Sequence, residues 1–231
     1  MKLTEYANTA INTMHIASQV GVSAIWDLSA VDSTFPKDDN PNELYNRHAI
    51  QFIGSSCLTK IVDAYQWYNG RIFNELARHD PSAFTRFGES VSLTAPELRR
   101  IAAGENPIAV AAEKISFRDA TVRRHLHEVL GLWEENEMGI LVTIRNCLGH
   151  HLGMDIRGEV TKWISEGESP WRLKDHVTIE NGEVRLGRHI PMNLSEIGLA
   201  QISIFDQMVA NTFGLATHQP SAINLSRSRR G

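Results

Sequence analysis

The stretch Ile144-Arg145-Asn146-Cys147-Leu148-Gly149-His150-His151-Leu152-Gly153 closes the strongest helical pattern in the chain. Upstream of it, Val122, Leu126, Val129, Trp133, Ile140, Ile144 and Leu148 recur on one stripe. Arg123, Arg124, His127, Glu128, Glu134, Glu135 and Glu137 cover the opposite side. The spacing predicts a helix over about 120–149, capped by Asp119 and punctuated by Gly149 and Gly153. A helix with one apolar stripe needs neighbours to bury it, so the flanking sequence decides the fold.

Those neighbours are mostly helical. Ala10, Met14, Ala17, Val20, Ala24, Leu28 and Val31 predict a helix over 4–31, followed by a Pro- and Asn-rich loop at 32–42. Ile50, Ile53, Cys57, Ile61, Tyr65, Tyr68, Ile72 and Leu76 predict a second helix over 43–79, ended by Asp80-Pro81. Gly54 and Gly70 on that helix permit close approach, each at a propensity cost of up to ~1 kcal/mol. Thr94-Ala95-Pro96-Glu97 is a capping-box start for a short helix that Gly104 stops. Asn106-Pro107 opens another, to about 115.

Beyond the central stretch, residues 156–165 suit a short helix. His176 to Leu186 then alternates apolar and polar residues around Asn181-Gly182, the pattern of a two-residue β-hairpin. Asn193 is expected to cap a last helix that runs to about Gly214. The fold class is therefore mainly all-α: a helical bundle with a small β-hairpin before the C-terminal helix. Helices 43–79 and 120–149 are expected to pair at its centre. Residues 1–215 read as a single domain, with the motif-bearing part at about 119–215. Residues 216–231 end in Ser226-Arg227-Ser228-Arg229-Arg230 and read as a disordered basic tail.

Composition narrows the function classes. A chain of 231 residues is long enough to bury a sizeable core. Its net charge of −4 gives no global basic field, so any nucleic-acid contact must come from local patches. Two cysteines, Cys57 and Cys147, make no disulfide framework. The N-terminal residues lack a signal-peptide pattern, and no apolar run is long enough to span a bilayer. The expectation is a soluble cytoplasmic protein without a membrane partner or cofactor.

The chemistry gathers in the opening stretch. Arginine stays cationic and offers a planar fork of donors that suits phosphate oxygens. Histidine takes or gives a proton near neutrality. An RNA 2′-hydroxyl beside its own phosphate needs both services: a base for its proton and a cation for the developing charge. Arg145 and His150 supply that pair. Asn146 stands one helical turn before His150, where its amide can orient the imidazole or bond a phosphate. Arg145 and His150, however, are five residues apart, about 140° around an ideal helix. They converge only if the helix ends or bends at Gly149, or if a second copy completes the site across a two-fold axis.

Arg145-Asn146-Cys147-Leu148-Gly149-His150-His151 resembles the signature of the HEPN superfamily: arginine, a polar residue, three more residues, then histidine, at the end of a long bundle helix. The trailing hairpin and C-terminal helix are also similar to that layout. The resemblance implies a bundle of four or five helices that dimerises. It implies a metal-independent endoribonuclease, as in toxin–antitoxin, phage-defence or RNA-processing systems, with RNA as substrate and a possible antitoxin-like partner. On it, Arg145 and His150 are catalytic and Asn146 supports them. His151, Arg123 and Arg124 are candidates for substrate contact.

Plainer readings stand beside these. Arg145 can bridge to a carboxylate at a helix C-terminus, and His150 can cap the last carbonyls. A metal reading would use His150, His151 and Asp155, but adjacent histidines seldom converge on one ion. Cys147 reads as a small core residue. The same groove can instead belong to a non-catalytic dimer that binds a nucleotide, RNA or a protein partner.

Overall fold

The computed structural model describes residues 3–32, 43–80, 92–114, 136–166 and 173–214. These are mainly helical: α1 (Leu3–Asp32), α2 (Glu43–His79), α3 (Ala95–Ala102), α4 (Pro107–Ala112), α5 (Asn136–His150) and α6 (Glu159–Glu166). A short 3-10 turn (Leu173–His176) leads into strands β1 (Val177–Glu180) and β2 (Glu183–Leu186), and α7 (Ile190–Phe213) closes the series. Asp32, the first residue of the loop expected at 32–42, ends α1; residues 33–42, the cap Asp119, and residues 120–135 of the expected central helix lie outside the described residues. So does the tail, and with residues 120–135 goes much of the expected pairing between helices 43–79 and 120–149.

The chain forms two compact units. The first draws on Met1–Ala10, Gln66–Glu134 and Ile202–Gly231. Its core packs Tyr68 and Phe73 edge-on against Phe205, both with ring centroids 6.0 Å away. Ile72, Leu76 and Val209 are fully buried in the same unit. The Tyr68 hydroxyl donates to Asp206 Oδ1 at 2.7 Å inside this core. Burial pushes the Asp206 carboxyl above its ordinary range, and the Tyr68 bond offsets only part of that rise. The capping box forms as its residues require: the Glu97 carboxylate accepts from the Thr94 N–H at 2.6 Å and the Thr94 hydroxyl at 2.8 Å. An ion pair to Lys114 and these bonds hold the Glu97 carboxyl down to about 2.

The second unit draws on Ile11–Tyr65 and Glu135–Gln201. Three glycines set the approach of its helices. A Cβ at Gly21 of α1 would collide with Cys57 Sγ of α2 and meet Pro191 of α7 at 3.1 Å. A Cβ at Gly198 of α7 would lie 2.5 Å from Met14 Sδ and 3.4 Å from Ile61. Gly54 of α2 faces Leu186 and Ile190. Large buried side chains, Met14, Leu58, Ile61, Met138 and Leu141, fill the space these contacts define.

The hairpin pairs Val177 with Leu186 and Ile179 with Val184. Asn181 (φ 52°) and Gly182 (φ 80°) both take left-handed backbone, the two-residue turn that Asn-Gly favours. Two expected boundaries move. The last helix starts at Ile190, and Asn193 is a buried residue of its first turn, its N–H directed at the His189 carbonyl at 3.4 Å. Pro191 at the second helical position needs no N–H partner there, so it belongs inside the helix rather than before it. The short helix starts at Glu159, because Gly158 (φ 67°) breaks the chain just before it.

Two outcomes follow from this packing. Gly21→Ala should lose about 1–3 kcal/mol by overpacking. Cys57→Ala should recover much of that loss, read as coupling in a double-mutant cycle of thermal unfolding. A carboxyl whose folded pKa is raised favours folding below its unfolded value of about 3.9, and that contribution fades as pH rises through the folded value. Asp206→Asn should therefore gain stability relative to the wild type as pH rises above about 4, measured by urea midpoints.

Candidate functional site at the end of helix α5

Helix α5 buries Met138, Leu141, Val142, Ile144 and Cys147, steps of three and four that make one stripe. The other sides carry the polar residues of the motif. Arg145 and Asn146 are half-buried, while Gly149 and His150 are exposed. The helix continues through His150, so Gly149 is an ordinary helical position and not the stop. On a continuous helix Arg145 and His150 leave the axis about 140° apart. The helix does not end at Gly149. Asn146 and His150, four residues apart, do share a face.

The true stop lies two residues further on. The Cys147 carbonyl accepts from the His151 N–H at 3.2 Å and from the Gly153 N–H at 2.9 Å. Leu152 (φ 53°) and Gly153 (φ 88°) turn the chain out of the helix in left-handed backbone. For leucine that conformation costs roughly 1–2 kcal/mol, so the surroundings must impose it. They do so through the hairpin. The Val184 N–H donates to the Gly153 carbonyl at 2.7 Å, the Asp155 N–H donates to Gly182 at 2.9 Å, and Met154 bridges to Glu183. Residues 153–155 thus act as a further short strand on the hairpin, and they fix where the motif helix ends.

The remaining edge of β2 is satisfied from α2. Gln51 Nε2 donates to the Val184 carbonyl at 2.9 Å, and Gln51 Oε1 accepts from the Leu186 N–H at 2.8 Å. One side-chain amide mimics a strand and covers a backbone edge that would otherwise be open. It also brings the N-terminal end of α2 against the hairpin. Between them is a cavity of about 370 Å³ lined by Arg47, His48, Asp175, His176, Arg185 and Arg188, among others. The sequence reading did not find this second site. Arg47-His48 and Arg188 are about 140 residues apart in the sequence, and the hydrogen bonds of Gln51 from α2 to β2 bring them to one cavity.

The other expected site residues resolve as follows. His151 is half-buried just beyond the helix. Arg123 and Arg124 lie outside the described residues. Asp155, weighed as a metal ligand, accepts instead from the N–H of Thr161 at 2.8 Å, its hydroxyl at 2.7 Å, and the Val160 N–H at 3.3 Å, at the start of α6. Burial pushes its carboxyl up, but these bonds outweigh it and the net shift is downward. Cys147 is a buried free thiol, raised above its ordinary value by burial and then by the Asp155 and Glu159 carboxylates. No group of three or more His, Cys, Asp and Glu able to hold a metal occurs among the described residues. No helix among them is long and apolar enough to cross a membrane.

Comparison of the chain with protein-family models, with curated proteins and with solved structures gave no match.

Gly153 joins these facts. A Cβ there would meet Glu183 Cγ at 3.0 Å and would require left-handed backbone from a residue that resists it. Gly153→Ala should destabilise the fold by about 1–3 kcal/mol and raise amide exchange at Asp155 and Val184 well above that of α1. Unchanged protection at both amides would remove the hairpin's role in fixing the helix end.

Proposed function

We propose that the protein is a metal-independent endoribonuclease of HEPN type that works as a homodimer. The observation that carries the reading is the exposed His150 in the last turn of α5, with Asn146 on its face and Arg145 five residues back. Because Arg145 and His150 diverge within one chain, the site is composite: the arginine of one copy serves the histidine of the other. The loop next to His150 supports such a contact. Leu152 is 90% exposed, Ile156 69% and Met154 41%, apolar residues on a segment bonded to the hairpin through Gly153 and Asp155.

In the proposed reaction, neutral His150 removes the proton of an RNA 2′-hydroxyl. The freed oxygen attacks the adjacent phosphorus, and the bond to the 5′-oxygen of the next nucleotide breaks. Arg145 holds the charge on the phosphate oxygens, and the leaving 5′-oxygen takes a proton from solvent. The products are a 2′,3′-cyclic phosphate and a 5′-hydroxyl end. A toxin–antitoxin or phage-defence setting, with an antitoxin-like partner, fits this activity and the cytoplasm.

A second reading has its own observation. The cavity beside the hairpin holds neither Arg145 nor His150, so binding at this fold need not involve the motif. On that reading the protein is a non-catalytic dimeric module for a nucleotide, RNA or protein partner.

Purified protein incubated with a mixed tRNA and mRNA pool in chelator separates the two. The ribonuclease reading expects cutting with cyclic phosphate ends, lost by at least about a hundredfold in His150→Ala. Binding without cutting selects the module, and cutting unaffected by Arg145→Ala refutes the assigned roles.

A further inference from the structure

The cavity between α2 and the hairpin has a wall of one chemical character and a rim of another. Arg47 and His48 come from the first turns of α2, Arg185 from β2 and Arg188 from the turn that follows. Arg185 Nη2 donates to Glu183 Oε2 at 2.7 Å, while its Nε is buried without a hydrogen-bond partner among the described residues. His176, at the entry to β1, packs its ring 5.6 Å from that of His189. Burial first, and then the neighbouring His189, depress the proton affinity of His176, while Asp175 opposes them. An anion in the cavity would offset that repulsion.

Asp175, Glu180 and Thr178 share the lining, and Ile50 and Leu186 supply an apolar floor. Glu180 also lies 3.9 Å from Arg185 Nε, while a simple inorganic anion would leave Asp175 and Thr178 without a role and would not fill about 370 Å³. A ligand with an anionic end and several hydroxyl donors uses both sets of groups. The two hydrogen bonds between Gln51 and β2 keep the two walls in register, so the site is preformed.

We propose that this cavity binds a small phosphate monoester bearing hydroxyl groups. Arg47, Arg185 and Arg188 take the phosphate, and Asp175, Glu180 and Thr178 take the hydroxyls. The class comprises sugar phosphates and the phosphorylated ribose of a nucleotide or of an RNA 5′-end. The assignment does not draw on the ribonuclease reading, and it stands or falls separately.

Calorimetric titration of the full chain with ribose 5-phosphate tests it, with ribose and inorganic phosphate as parallel arms. Ribose 5-phosphate should bind more tightly than inorganic phosphate, and ribose should not bind detectably. Arg188→Gln, at an exposed position, should weaken binding about tenfold with an unchanged unfolding midpoint, and Arg47→Gln should do the same. A 5′-phosphorylated oligoribonucleotide that displaces ribose 5-phosphate, where its 5′-hydroxyl counterpart does not, identifies a chain end as the source. Failure to displace identifies a free sugar phosphate. No binding of ribose 5-phosphate at millimolar concentration, or equal binding by wild type and Arg188→Gln, overturns the proposal.

Discussion

The 2.7 Å hydrogen bond from Val184 to the Gly153 carbonyl, with its companion from Asp155 to Gly182, is the constraint on which the candidate site depends. It turns residues 153–155 into an extra strand of a hairpin only four residues long on each side. A two-stranded hairpin alone is marginal in water. Here one edge of β2 is covered by Gly153 and by the side-chain amide of Gln51, and β1 covers the other. The hairpin gains stability from its neighbours, and in return it forces the chain out of α5 immediately after His150. Leu152 accepts an unfavourable conformation as a result. His150 is thereby placed in the last turn of a fixed helix, exposed.

That geometry has a consequence for chemistry. A proton acceptor and a phosphate-binding cation serve one reaction only if both reach it within a few ångströms. On helix α5 Arg145 and His150 leave the axis about 140° apart, and the proposed reaction therefore takes the two from different copies. The arrangement makes sense for a site assembled from two copies, where divergence within a chain becomes convergence across a two-fold axis. The exposed apolar loop beside His150 is the surface such an assembly would cover.

Much of this was legible in the residues. Three-and-four spacing predicts α1, α2 and the end of α5 within a residue or two, because a long apolar stripe overrides local ambiguity. Asn181-Gly182 predicts the hairpin because few dipeptides accept two left-handed residues. Thr94 with Glu97 predicts the start of α3 for an equally local reason. The failures were non-local. Asn193 looks like a cap in isolation, yet Pro191 and the burial of Ile190 start the helix earlier. Gly149 and Gly153 predict the helix end to within a residue, but which of the two makes the turn depends on Glu183, thirty residues away from Gly153. The cavity beside Gln51 was invisible, since no spacing rule predicts that a helical glutamine will stand in for a strand.

The composite site is the central claim, and mixing two inactive variants tests it most directly. Arg145→Ala and His150→Ala, each silent alone, are unfolded together, refolded as an equal mixture and assayed on RNA. If each site takes its arginine from one copy and its histidine from the other, half the dimers are mixed and each carries one intact site. Activity should return to about a quarter of the wild type. A mixture that stays inactive while the wild type cuts would place both residues of a site in a single chain and contradict the account.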